Sequence, residues 1–240
     1  MKNQRGAAIA QNSPVKYYSI AQARFVRRVK EETGISTPRT IQKGPNEGKV
    51  VHEEHYDEIT GQLIDIKFEE SDYGRKVLFI LDTTIPGQQE EKSQIQVNLS
   101  SGYAKNIMSR LPLIDFDKDI TLKGYRFTPK GETKERIGVS VLQQSADGTF
   151  QSIPSFYTKE TPNGMPKLKK VKVKGVEVWD DTDIIEFFEA KIKEETLPKL
   201  RALSPSIEAT PAKPESAEVQ PEQESPEDFD EDQESDDLPF

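Results

Sequence analysis

Between Ile59 and Gln144 apolar and polar residues alternate in short runs separated by turn formers. In "ITGQLIDIKFEE" Ile64, Ile66 and Phe68 fall at every second position, the period of a half-buried strand. "RKVLFILDTT" follows after "SDYG", which reads as a hairpin connection. Its centre, Val77 to Leu81, is apolar on both faces, as a central strand is. Beyond a polar loop containing Pro86 and Gly87, "SQIQVNLS" sets Ile95, Val97 and Leu99 against Gln94, Gln96 and Asn98. "SGYAKNIMSRLP" predicts a short helix, capped by Ser100 or Ser101 and stopped near Pro112. "DITLKGYRFT" and "RIGVSVLQ" predict two further strands, joined by "PKGETKE".

The flanking segments are less regular. Residues 1–16 are small and polar and read as a loose terminus. In "KYYSIAQARFVRRVKEE", Tyr18, Ala21, Phe25 and Val29 fit helical spacing while Tyr18-Ser19-Ile20 starts a strand-like alternation; the balance tips to helix. Gly and Pro punctuate residues 34–49, a predicted loop. Downstream, "SFYTKETPNGMPKLKKVKVKGVEVW" holds a Pro-Asn-Gly turn between two extended runs. "DDTDIIEFFEAKIKEE" predicts an amphipathic helix with Asp180 or Asp181 as cap, a stripe of Ile184, Phe188 and Ile192, and Pro198 just past its end.

The predicted order over residues 58–144 is three strands, a short helix, then two strands. A five-stranded Greek-key barrel with a helix between its third and fourth strands is the oligonucleotide-binding, or OB, fold. The expected class is therefore mainly β: an OB-like barrel in residues 51–200, preceded by a partly ordered extension (1–50), carrying an added C-terminal helix and followed by a disordered tail (201–240).

Composition sharpens this division. Hydrophobic residues make up 33 % of the 240-residue chain and charged residues 31 %, too polar for a chain that folds throughout. Residues 201–240 are rich in Pro, Glu and Ser and carry 13 acidic against two basic residues, whereas residues 1–200 carry 31 basic against 29 acidic. A tail of net −11 thus follows a mildly basic body. With no cysteine, disulfides, thiolate metal sites and cysteine nucleophiles are excluded, and a reducing cytoplasm is the natural compartment. The N-terminus has no secretory core, and no apolar run approaches the roughly 18–20 residues of a membrane span.

No catalytic constellation emerges, and no cofactor or metal is expected. His52 and His55 in "VHEEHY" lack the H-E-x-x-H spacing of zinc proteases and read as two exposed imidazoles leading into a strand. What the chain does carry is aromatic residues interleaved with cations, the combination that binds single strands by stacking bases and neutralising phosphates. The candidates are Tyr73, Arg75 and Lys76; Tyr103 with Lys105; Tyr125, Arg126 and Phe127; and Lys130, Lys134 and Arg136 in and beside the loop between the last two strands. Aromatics that alternate along a strand ordinarily face a core, which is the competing reading of each. In "KLKKVKVKG", Lys170, Lys172 and Lys174 would line one face of a strand, either for phosphates or as protection of a sheet edge.

The chain ends "DEDQESDDLPF". This terminus resembles the acidic tip of bacterial and phage single-stranded DNA-binding proteins, a few aspartates followed by a hydrophobic-Pro-Phe triplet. Asp236, Asp237, Leu238, Pro239 and Phe240 match that pattern position by position. The resemblance covers about the last ten residues; the long N-terminal segment and the lysine-rich stretch depart from the ordinary bacterial body and suggest a divergent, phage-encoded relative. It implies a non-catalytic protein that protects single-stranded DNA and recruits replication or recombination enzymes through Phe240 and its neighbours, and it leaves homo-oligomer formation open. An annealing protein or nucleic-acid chaperone, and an adaptor whose barrel binds protein, are the alternatives.

Overall fold

The computed structural model describes residues 15–203 apart from 45, 72, 73, 146, 147 and 174. In chain order the strands are β1 (Val15–Ala21), β2 (Arg24–Val29), β3 (Thr37–Thr40), β4 (Val50–Tyr56), β5 (Glu58–Ser71), β6 (Gly74–Asp82) and β7 (Lys92–Asn98). Helix α1 (Gly102–Met108) and a 3₁₀ turn (Leu111–Leu113) lead into β8 (Ile120–Phe127), β9 (Arg136–Gln144) and β10 (Phe150–Ser152). β11 (Lys169–Val173), β12 (Val176–Asp180), α2 (Thr182–Lys191) and α3 (Leu197–Leu203) complete the described chain.

The chain is mainly β, as its alternation predicts. Ten strands form one sheet in the order β10-β9-β8-β5-β6-β7-β1-β2-β4-β3, and β11 pairs with β12 in a separate ribbon. β5 is the pivot. Its first residues pair with β8 (Gly61 opposite Ile120) and the rest with β6 (Gln62 opposite Asp82). The strand changes partner where Gly61 lets the backbone close up, since a Cβ there would lie 2.4 Å from the Asp82 carbonyl oxygen. A register shift between Leu63 and Asp65 adds the bend that a bulge produces.

The sheet does not close into a barrel. Among the described residues β7 and β9, the ends of the run β9-β8-β5-β6-β7, are not paired with each other. β7 takes β1 in parallel on its open edge, with Tyr17 opposite Gln94, and β9 takes β10. The free edge of a strand is a strong template for whatever extended segment lies near it. That explains why the stretch from Tyr17 is a β1–β2 hairpin and not the expected helix. Its two turn residues, Gln22 (φ 48°) and Ala23 (φ 60°), both lie in the left-handed region, as a two-residue hairpin turn of the primed type demands. Neither is glycine, so each costs about 1–2 kcal/mol; the pairing of β1 on both edges and the burial of Tyr18, Ala21, Phe25 and Val26 outweigh it. The predicted loop 34–49 likewise contains β3, with Pro38 on an edge strand where a missing N–H is tolerated.

The core is continuous from Phe25 and Phe79 in the sheet to Phe188 in α2. The Ser101 hydroxyl accepts from the Ala104 N–H and starts α1, one of the two caps anticipated. Ile184, Phe188 and Ile192 are buried as their spacing predicts. At the start of α2 it is the Asp180 carboxylate, one residue before the helix cap position, that accepts from the N–H and hydroxyl of Thr182. The helix does not stop at Pro198. A π-helical turn over Ile192–Thr196 carries α2 into α3, with the Leu197 N–H reaching back to the Ile192 carbonyl. Such a widened turn absorbs a proline that a regular helix would reject.

Candidate nucleic-acid interface

The strongest convergence of the predicted residues is on β8 and β9. Tyr125 and Phe127 are two apart on β8 and so share a face; their ring centroids are 5.9 Å apart. Tyr125 lies over Gly138, its partner on β9, where a Cβ would come within 2.5 Å of the ring. The glycine thus makes the floor on which the phenol rests. Phe127 stands opposite Arg136 and is 51 % exposed, an unusual place for a large apolar ring. Arg126, exposed, donates to the Gln22 carbonyl at 3.2 Å and lies 3.5 Å from Glu135. Arg136 forks onto Glu132 at 2.9 and 3.1 Å, while its buried Nε has no partner. Lys130 and Lys134 are exposed in the connecting loop. The ion pairs here are partly solvated and worth about 0–1 kcal/mol each, so an incoming phosphate can replace the carboxylates.

Tyr103 supports this patch from below. Its hydroxyl accepts the Ala23 N–H at 3.1 Å, which ties α1 to the strained β1–β2 turn. Burial pushes its phenol above the ordinary tyrosine value, against the opposing effects of that hydrogen bond and of Arg126. The same turn packs on β8 at Gly124, where a Cβ would meet the Ala23 carbonyl oxygen at 1.7 Å. Tyr103 is thus half-buried structural support, while Phe127 is the exposed ring, with the half-buried Tyr125 beside it.

The other candidates are elsewhere. Arg75 is ion-paired with Glu189 of α2, a tether between the β5–β6 hairpin and the helix. Lys76 is half-buried on β6, between Glu69 of β5 and Asn98 of β7. Lys170 and Lys172 are exposed on β11. The ribbon turns around Gly175, with Val173 opposite Val176; the Pro-Asn-Gly stretch is a separate turn in which the Met165 N–H donates to the Pro162 carbonyl, and no strand precedes it among the described residues 153–168. Tyr73, Lys174 and the tip from Asp236 to Phe240 lie outside the described residues. His52 and His55 sit within β4, not ahead of a strand; His52 is half-buried with Nδ1 unpartnered, and His55 is exposed. Among the described residues no group of three or more His, Cys, Asp or Glu could hold a metal ion, and no helix is long and apolar enough to cross a membrane.

Three exposed aromatics carry no signal in the alternation as read: Tyr17, Phe150 on β10 and Trp179. Tyr17, 51 % exposed, stands beside the buried Tyr18 on β1, a pair whose faces are legible only once the strand is recognised. Trp179, the one tryptophan, is 51 % exposed on β12. The alternation of "VEVW" opposite "KKVKV" contained the signal, had the turn at Gly175 been read as a hairpin. No protein-family profile, curated protein or solved structure matches this chain.

Proposed function

We propose that this chain is a non-catalytic single-stranded DNA-binding protein that protects the strand during replication, recombination or repair and recruits partner enzymes through its acidic C-terminal tip. The observation that carries the reading is the Tyr125–Phe127 pair, a half-buried and an exposed ring on one face of β8, with Arg136 across the ladder from Phe127 and Arg126 between the two in the strand. Every base has a π-face, so such a platform binds without sequence preference, and the arginines meet the backbone. The reading takes β5–β9 as an OB-like unit. What supports this is their order β9-β8-β5-β6-β7 with α1 between β7 and β8, the order an OB barrel would follow if its end strands were also joined. At the tip, Phe240 offers a ring and a terminal carboxylate to a pocket rimmed by a cation, Pro239 limits the freedom lost on docking, and Asp236 and Asp237 steer.

A gel shift with single-stranded DNA across a salt series tests the first half. Affinity falls as salt rises, with a log–log slope of about −0.7 per phosphate contacted. A preference for duplex, or an affinity indifferent to salt, refutes the reading. For the tip, pull-downs from host extract compare the full chain with one lacking Leu238, Pro239 and Phe240; the same captured proteins in both would remove the tip's role.

A further inference from the structure

The β11–β12 ribbon has no strand partner outside itself among the described residues. Two-stranded ribbons are marginal alone and gain order from what they pack on. It is pinned at its base: β12 runs into α2, Lys169 pairs with Asp183, and Asp181 pairs with the buried Lys105 of α1. Val176 to Trp179 are all exposed.

Register sets the chemistry of one face. Lys170 stands opposite Trp179 and Lys172 opposite Glu177, so alternation places all four side chains together. The Lys170 ammonium lies 4.8 Å from the indole centroid and 3.4 Å from Glu177. An exposed cation–π contact and a surface ion pair are both weak holds, which a phosphate can take over. An indole half in water, with two lysines on the same face, suits a flat, anionic ligand.

We propose that this face is a second nucleic-acid subsite: Trp179 stacks on a base of single-stranded DNA while Lys170 and Lys172 take the adjoining phosphates. The inference rests on the single-strand reading above and adds to it a contact point that no OB-like strand supplies.

Because Trp179 is the sole tryptophan, its emission reports this face alone. An end-labelled oligothymidylate is titrated with the full-length protein, following label anisotropy for binding and indole emission for the ribbon. The expected result is saturable quenching of Trp179 over the concentration range in which anisotropy rises. Trp179→Ala weakens binding about 5- to 150-fold, the loss of one stacked base. Trp179→Phe keeps most of the affinity, and both variants melt with the wild type because the ribbon lies outside the core. A normal anisotropy curve with unchanged indole emission, or a Trp179→Ala variant that binds as wild type, overturns the ribbon subsite and leaves the single-strand reading standing. No rise in anisotropy at any concentration overturns both.

Discussion

Two strands of this chain mix valine with consecutive cations. In β2, "RFVRRV", Arg27 stands opposite Glu54 and Arg28 opposite Glu53 of β4. Both glutamates are buried, at 5 % and 2 % exposure. Glu53 lies 2.9 Å from Arg39 and 3.5 Å from Arg28; Glu54 lies 3.5 Å from Arg27 and accepts hydroxyls from Tyr56 at 2.6 Å and Thr33 at 2.8 Å. In β11, "KKVKV", the facing residues are Trp179 and Glu177, and everything is in water. Arg27 and Arg28 are committed to carboxylates that cannot be left alone, because an unpaired buried charge is costly. Lys170 and Lys172 hold nothing that solvent could not hold. A row of cations is thus a fastening in one hairpin and an open surface in the other, and the residues across the ladder decide which.

The comparison breaks most visibly at Glu53. Glu53→Ala removes the buried carboxylate that Arg28 and Arg39 share and should cost about 3 kcal/mol, the lower end for breaking a buried pair because both guanidinium groups keep some solvent contact. Urea melts measure it; a loss under about 1 kcal/mol would mean that the two hairpins do not differ as described. The surface rings come next. Phe127→Ala should weaken single-stranded DNA binding by roughly 1–3 kcal/mol with little change in melting, since the ring is half in water. A large stability loss with unchanged affinity of the folded fraction would return Phe127 to a packing role.

A pH series sharpens the contrast further. The hydroxyl of Tyr56, then that of Thr33 and the charge of Arg27, hold the Glu54 carboxyl below its ordinary range against the opposing effect of burial. A depressed folded value means stability that is complete above the unfolded carboxylate range and is lost as pH falls through the folded value. Glu54→Gln should therefore be less stable than the wild type at neutral pH and lose less on acidification. At the other extreme, burial and the bond to Glu54 push the Tyr56 phenol up to about 12. Its contribution is complete below the unfolded tyrosine value near 10 and fades as pH rises towards 12. Tyr56→Phe removes that alkaline loss, read by thermal melts at several pH values. The smallest effect belongs to the ribbon. Lys172→Gln should leave stability within about 0.5 kcal/mol and lower the steepness of the salt dependence of DNA binding by about 0.7, the share of one phosphate. An unchanged slope would remove Lys172 from the interface.

The candidate site was legible in part. The spacing of Tyr125, Arg126 and Phe127 marked a strand with rings on one face, but not which face was wet. The tertiary structure decides that by turning Ile120, Leu122, Val139 and Val141 into the core, while Gly138 leaves room on the other face for the Tyr125 ring. Arg75 looked like a ligand cation by composition and is a tether to α2, because its partner Glu189 is more than a hundred residues away. Trp179 went unread because a hairpin turn was assigned to Pro-Asn-Gly and not to Gly175.

The amino-acid sequence by itself determined the strands β5 to β9, the cap of α1 and the buried stripe of α2, since each depends on periods and end signals contained within a dozen residues. It also determined the charge division between body and tail. Only the tertiary structure decided that Tyr17 to Val29 would be a hairpin. The helical spacing there is real, but helix and hairpin differ by little locally, and the open edge of β7 tips the balance through pairing that no window of the N-terminal sequence contains. With that edge filled by β1, β7 and β9 are not paired with each other among the described residues, and the sheet stays open. The partners of the arginines, the exposure of Trp179 and the passage of α2 through Pro198 are of the same kind: each is set by contacts or register between segments distant in the chain, or by a strained turn that packing sustains.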